Sequence, residues 1–244
     1  MSLGLSNTIL TSKYYQYRSI KGMNFDGTDD SAFNDSNPGI NLFASHTLSA
    51  WFRTTDVTTN QCIVTYADNG SRRCGIGIDA NNGVESSYYS GSAYSGVANT
   101  SVISNDTWYH VVATHTIAGE DTSKQLYLDG VLQTGSYSQV IGLGYNKVVV
   151  GAKDSNGGDG MLGDIDEVAI WNKVLTANQV AGLYNEGRPR NAKSTAPDNL
   201  QFYFRMGEGD ATGSGNVINH GIVDFDLTMH SNMASGDITT DVPG

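Results

Sequence analysis

The chain has no run approaching the roughly 20 apolar residues that a membrane-spanning helix requires. Basic residues are also few, 14 Lys and Arg against 25 acids, for a formal net charge of −11. That balance excludes a protein that wraps a nucleic-acid backbone or lies on an anionic membrane, because both need basic patches. An acidic surface keeps a protein soluble and attracts cations. Cysteine occurs only twice, as Cys62 and Cys74 in "QCIVTYADNGSRRCGIGID". No His stands at a spacing that would complete a zinc site with them. The turn residues "DNGS" lie midway, so the pair is expected across a hairpin, either as a cross-strand disulfide or as two half-buried thiols. The N-terminal "MSLGLSNTILTSKYYQYRSIKG" lacks a basic segment followed by an apolar core, so no signal peptide is expected. An extracellular protein of this kind would leave by another route, such as assembly into a virus particle and lysis.

Proline is scarce at 4 and glycine abundant at 29, with Ser, Thr, Asn and Asp clustered between short apolar runs. Many strands joined by tight turns have this composition. In "TLSAWFRTT", Leu48, Ala50 and Phe52 alternate with Ser49, Trp51 and Arg53. Bulky groups on both faces predict an inner strand of a two-layer sandwich. "CIVTY", "CGIGID", "WYHVVATH", "KQLYLDGVLQ", "KVVVGA" and "DEVAIW" also read as strands, and Asp129-Gly130 suits a type I′ hairpin turn. One helix is predicted in "LTANQVAGLYNEG": Thr176 and Gln179 form a capping box, Val180, Leu183 and Tyr184 an apolar stripe, and Gly187 the stop. After a polar connector, "LQFYFRMGEG" and "FDLTMHS" predict further strands without a second core. About a dozen strands and one short helix describe an all-β, two-sheet antiparallel jelly roll.

Five segments then occur in order: "MNFDGTDDSAF", "TLSAWFRTTD", "TWYHVVATHT", "KQLYLDGVLQTG" and "GDIDEVAIWNKVLTANQVAGLYNEG". Together they resemble the laminin-G-like, concanavalin A-like lectin/glucanase superfamily over residues 22–187. The resemblance implies a single jelly-roll domain over 1–244, with its core at 20–187, further strands at 198–230 on the same sandwich, and an extended tail at 231–244. The C-terminal part resembles an element that accompanies such domains in proteins of marine phages and metagenomes, which implies a virion or extracellular location.

Hydrolases of this fold place a Glu, an Asp and a second Glu at alternate positions of one strand, facing the cleft. That pattern is absent: Asp164 and Asp166 are followed on their face by Val168, and Glu208 and Asp210 by Thr212. Serine-nucleophile and phosphate-loop motifs are absent as well, so no catalytic residue is assigned. Glucanases of the superfamily hold a structural calcium through an Asp on a late strand and a backbone carbonyl of an early turn. By that resemblance Asp166 supplies the carboxylate and Gly27 the carbonyl, with Asp26 and Asp30 near enough in sequence to assist. Alternatively, Asp166 accepts backbone hydrogen bonds, and Glu167 faces solvent or pairs with an Arg.

"SSYYSGSAYSG" sets Tyr88, Tyr89 and Tyr94 among small polar residues, as a sugar-recognition loop would. A second loop, "AKDSNGGDGM", offers Asp154, Asn156 and Asp159, as ligand contacts or as a solvated hairpin tip. Trp51, Trp108 and Trp171 are expected in the core. The expected function is a non-catalytic module that binds a glycan or polysaccharide. The alternatives are a virion structural or decoration protein that binds other subunits, and a glycoside hydrolase.

Overall fold

A computed structural model describes residues 17–36, 38, 45–67, 73–89, 94–98, 101–118, 121–134, 137–138, 147–155, 157–208, 215–230, 233 and 237–244. Two antiparallel sheets face each other. The first has nine strands: β1 (Gly22–Asp26), β3 (His46–Thr54), β8 (Tyr109–Ala118), β9 (Asp121–Leu128), β10 (Val131–Leu132), β11 (Tyr137–Ser138), β13 (Leu162–Trp171), β14 (Leu200–Phe204) and β17 (Ile238–Thr239). The second has eight: β2 (Ser31–Phe33), β4 (Gln61–Ala67), β5 (Arg73–Asp79), β6 (Gly83–Tyr89), β7 (Tyr94–Ala98), β12 (Lys147–Val150), β15 (Asn216–Val217) and β16 (Leu227–His230).

The period-two pattern decides which residues lie between the sheets. Leu48, Ala50 and Phe52 of β3 are fully buried there against Ile165, Val168 and Ile170 of β13 and Val64, Ile76, Ile78 and Val84 of the opposite sheet. The alternate residues of β13, Ala169 and Trp171, pack on the other face, beneath helix α1 (Ala177–Tyr184), which contributes Val180 and Leu183. Trp51 stacks on Tyr184 of that helix at 5.8 Å. The capping box forms, with Thr176 accepting from the Gln179 N–H and Gln179 accepting in return. The helix ends at Asn185, in the left-handed conformation, rather than at Gly187. Asp129 and Gly130 both take positive φ in the β9–β10 hairpin, as a type I′ turn requires.

Two expectations, for Trp108 and for the cysteine pair, need correction. Trp108 lies before β8 rather than within it; it is half-buried, and its Nε1 donates to Asp241 at 3.2 Å. Within the tail, β17 extends the sheet beyond β1, and Asp241 also meets Arg53 at 2.5 Å. Cys62 and Cys74 sit on paired strands but out of register, Cys62 opposite Gly77 and Cys74 opposite Tyr66. Three residues of β5 separate those positions, about 10 Å along the strand, beyond the roughly 7 Å Cα limit of a disulfide.

His110 of β8 is buried under the helix, where its Nε2 lies 2.9 Å from Ser49 Oγ. Burial depresses its pKa to about 3. The folded protein therefore keeps His110 neutral while the unfolded chain binds a proton near pH 6.5. Stability from this group is complete above pH 6.5 and is lost as pH falls toward 3, by about 1.4 kcal/mol per pH unit. Urea titrations between pH 7 and 4 should include this slope beside that of His115, which burial depresses likewise, and His110→Gln should reduce the total by about that amount. An unchanged slope in the variant would assign the acid sensitivity to other groups.

Candidate functional site

The outer faces of the two sheets carry different chemistry. On the eight-stranded sheet, β5 has glycine at alternate positions, Gly75 and Gly77, while the intervening Ile76 and Ile78 fill the core. The register places Thr65 and Ser87 on either side of Gly75, and Cys62 and Glu85 on either side of Gly77. Two cross-strand rows therefore share a floor of bare backbone, walled by side chains from β4 and β6. With strands about 4.8 Å apart, the wall-to-wall Cα separation is about 10 Å. The glycines are required because the β4 backbone lies close: a Cβ at position 75 would stand 2.4 Å from the Val64 carbonyl oxygen. A Cβ at position 77 would stand 2.5 Å from the Gln61 carbonyl oxygen.

The resulting trough has a volume of about 310 Å³ and ends at Asn60 and Asp159. This is the lower limit of ligand-binding cavities, enough for one or two sugar units. Asp159 is fixed by the donation of the Cys62 N–H to its carbonyl at 2.7 Å, and its carboxylate meets Lys153 at 3.5 Å. The Glu85 pKa is raised, first by burial, against the lowering effect of a Ser87 hydrogen bond.

Of the residues singled out as ligand contacts, Asp159 lies at the trough and Asp154 lies beside it in the 151–161 loop, its carbonyl accepting from Gly157 N–H at 3.1 Å. Asn156 lies outside the described residues. Tyr88 and Tyr89 end β6, and Tyr94 begins β7 opposite Tyr89. Tyr89 also pairs with Arg73, so these tyrosines continue the sheet one row beyond Gly75 and Ser87. The sequence reading missed Glu85, Ser87, Gly75 and Gly77. Only the two glycines left a signal, in "CGIGID", where glycine alternates with isoleucine; Glu85 and Ser87 lie on β6 and carried none.

On the outer face of the nine-stranded sheet, β1 and β14 share one edge of β13, β1 pairing with residues 162–165 and β14 with 168–171. Where they part, β13 carries a bulge and Glu167 takes φ +51°. A bulge re-aims a side chain, and here Asp166 and Glu167 both enter a buried acidic cluster with Glu208, ligand atoms of all three lying within 4.8 Å of one another. Asp166 accepts from Ser19 Oγ at 2.6 Å and from Glu167 N–H at 2.7 Å. Glu167 accepts from the hydroxyls of Tyr17 and Tyr203. Glu208 accepts from the N–H groups of Ile20 and Lys21. Arg205 faces the cluster at 3.5 Å from Glu167 and 3.3 Å from Glu208. Burial, augmented by the neighbouring carboxylates, holds the Asp166 pKa well above the usual range, and burial pushes Glu167 to about 7. One guanidinium faces three acids, and Glu208 Oε2, 3.3 Å from Arg205 Nη2, makes no hydrogen bond among the described residues.

This arrangement corrects the ligand set expected for calcium. Asp166 lies beside Gly22, four residues from Asp26, or about 13 Å along β1. It therefore cannot share an ion with Asp26, Gly27 and Asp30. Asp26 and Asp30 instead close their own turn, Asp30 accepting from Asp26 N–H at 2.9 Å and Asp26 from Thr28 N–H at 2.8 Å. Glu167 is buried and does not face solvent; its guanidinium partner is Arg205.

Residues 25–181, 157 of the 244, match the family model of the concanavalin A-like lectin/glucanases superfamily. Solved structures share the fold at low identity. A candidate carbohydrate-binding protein from Bacteroides ovatus aligns over 93% of this chain at 17% identity and TM-score 0.64, the match spanning 62% of that longer protein. The CBM40 domain of a Ruminococcus gnavus sialidase, bound to α2,3-sialyllactose, aligns over 69% of this chain and 99% of its own, at 12% identity and TM-score 0.53. Domain 4 of the Geobacillus stearothermophilus arabinanase AbnA, in complex with arabinotriose, aligns over 67% and 76%, at 18% identity and TM-score 0.53.

Proposed function

We propose a glycan-binding role from the premise that the chain belongs to the concanavalin A-like lectin/glucanases superfamily. The observation that carries it is the glycine-floored trough on the eight-stranded sheet, walled by Thr65, Ser87, Cys62 and Glu85. A sugar ring laid on bare peptide loses little by desolvating the floor, while its hydroxyls meet polar walls. The module is non-catalytic in this reading, and the carbohydrate-binding structures that share the fold support it.

Calcium, in this proposal, belongs to the scaffold. Asp166 and Glu208 would hold it, with Glu167 committed to the tyrosines, and the bound ion would supply fixed positive charge to the surplus carboxylates. The acid cluster and the trough lie on opposite outer faces, so the two functions are separable. EDTA should lower the melting temperature, saturation at 100 times the dissociation constant being worth about 2.7 kcal/mol. A glycan array probed in calcium and again in EDTA should give the same hits below the lowered melt. Hits lost in EDTA while the protein stays folded would place the ion at the ligand instead, and an array without hits would refute the glycan reading.

A further inference from the structure

The charges at the closed end of the trough select among glycans. We infer that the sugar unit seated over Gly77 is uncharged and hydroxyl-rich, held by Glu85 and Asp159 as hydrogen-bond acceptors, and that sugars carrying a carboxylate are rejected there. The inference rests on the glycan-binding reading above and narrows its ligand class.

Glu85 stands directly across from Gly77, and Asp159 closes the same end of the floor. Among the described residues that line the trough, none is Arg, Lys or His. Lys153, the nearest cation to Asp159, is 3.5 Å from that carboxylate and half-buried. An ionised carboxyl accepts and does not donate, so these two walls offer acceptor oxygens to whatever enters. Sugar hydroxyls are the matching donors, and hydrogen bonds to a charged acceptor are roughly twice as strong as neutral ones. A sialic or uronic acid would set a third negative charge beside Glu85, with Lys153 already paired to Asp159 and no cationic side chain among the described lining residues to receive it. Repulsion of this kind, built against the wrong ligand, is how a site discriminates between otherwise similar shapes.

The fold is shared with a domain bound to sialyllactose and with one bound to arabinotriose, so these two oligosaccharides serve as probes of opposite charge class. Calorimetric titration at pH 7 with arabinotriose, lactose and α2,3-sialyllactose should give binding to at least one neutral probe and at least about tenfold weaker binding of sialyllactose than of lactose, a factor worth 1.4 kcal/mol. Glu85→Gln should weaken the neutral probe about tenfold and narrow the gap to sialyllactose, with a near-native melt. Ser87→Lys, on the same wall, should narrow the gap while leaving Glu85 in place. Sialyllactose bound as tightly as lactose would overturn the charge selection and leave the glycan reading standing. A preference that survives both variants would also overturn it, since the discrimination would then lie elsewhere. Silence with all three probes and across a broad glycan array would overturn both.

Discussion

Replacing Arg205 with Met should lower stability by about 3 kcal/mol at pH 8, or about 6–12 °C in melting temperature for a chain of this size. Arg205 is the cation that faces Glu167 and Glu208, and its guanidinium also lies 4.9 Å over the Tyr17 ring. Measured in EDTA, so that no bound ion compensates, the methionine variant keeps much of the stem's packing but leaves Asp166, Glu167 and Glu208 facing one another without a counter-charge. Removing one partner of a buried pair costs more than the pair contributes, because the surviving charges stay desolvated. The sign of the pH dependence follows from the raised carboxyl pKa values. Glu167, at about 7, is still protonated at pH 5, where ordinary carboxylates are ionised, and loses its proton by pH 8. The loss should therefore shrink at pH 5, where protonation relieves the repulsion. Chemical denaturation of both proteins at the two pH values measures this, and an equal loss at pH 5 and pH 8 would show that Arg205 acts through packing alone.

Ser87→Trp should abolish glycan binding, by at least about 100-fold or 2.7 kcal/mol, with little change in the melt. Ser87 lies across from Gly75, the other half of the floor, and is partly solvent-exposed. An indole there would lie over the bare backbone where a sugar would sit. Surface substitutions outside special features stay within about 0.5 kcal/mol, so the folded state should tolerate the change. Titration of the variant with the best array hit is the check. Undiminished binding would remove the trough from the account even if the protein remains a lectin.

Much of this architecture was legible because it is written locally. Alternation in "TLSAWFRTT" orients Leu48 and Trp51 to opposite faces, and the Thr176–Gln179 capping box starts the helix. Each of these depends on residues within one turn or one strand. The trough was not legible, because it exists only when β4, β5 and β6 are paired in this register. Asp159 was found from its glycine-rich loop, but its neighbour Glu85 is remote in sequence and reads as one polar residue in an alternating strand. The acid cluster failed for the same reason. Asp166 attracted attention through its motif, yet Glu208 joins it only because β14 runs beside the same strand that β1 borders. The early turn around Gly27, nearer in the family pattern, belongs to the far end of β1. Cys62 and Cys74 illustrate the same limit: the turn between them was readable and the register was not.

The most direct test of the central claim is an amide chemical-shift map of the isotope-labelled protein, titrated with the strongest neutral oligosaccharide. The largest perturbations should fall on Gly75, Gly77, Glu85, Ser87 and Asp159, with the amides around Asp166 and Glu208 unmoved. Perturbations centred on the acid cluster, or on the edge strands away from β5, would contradict it.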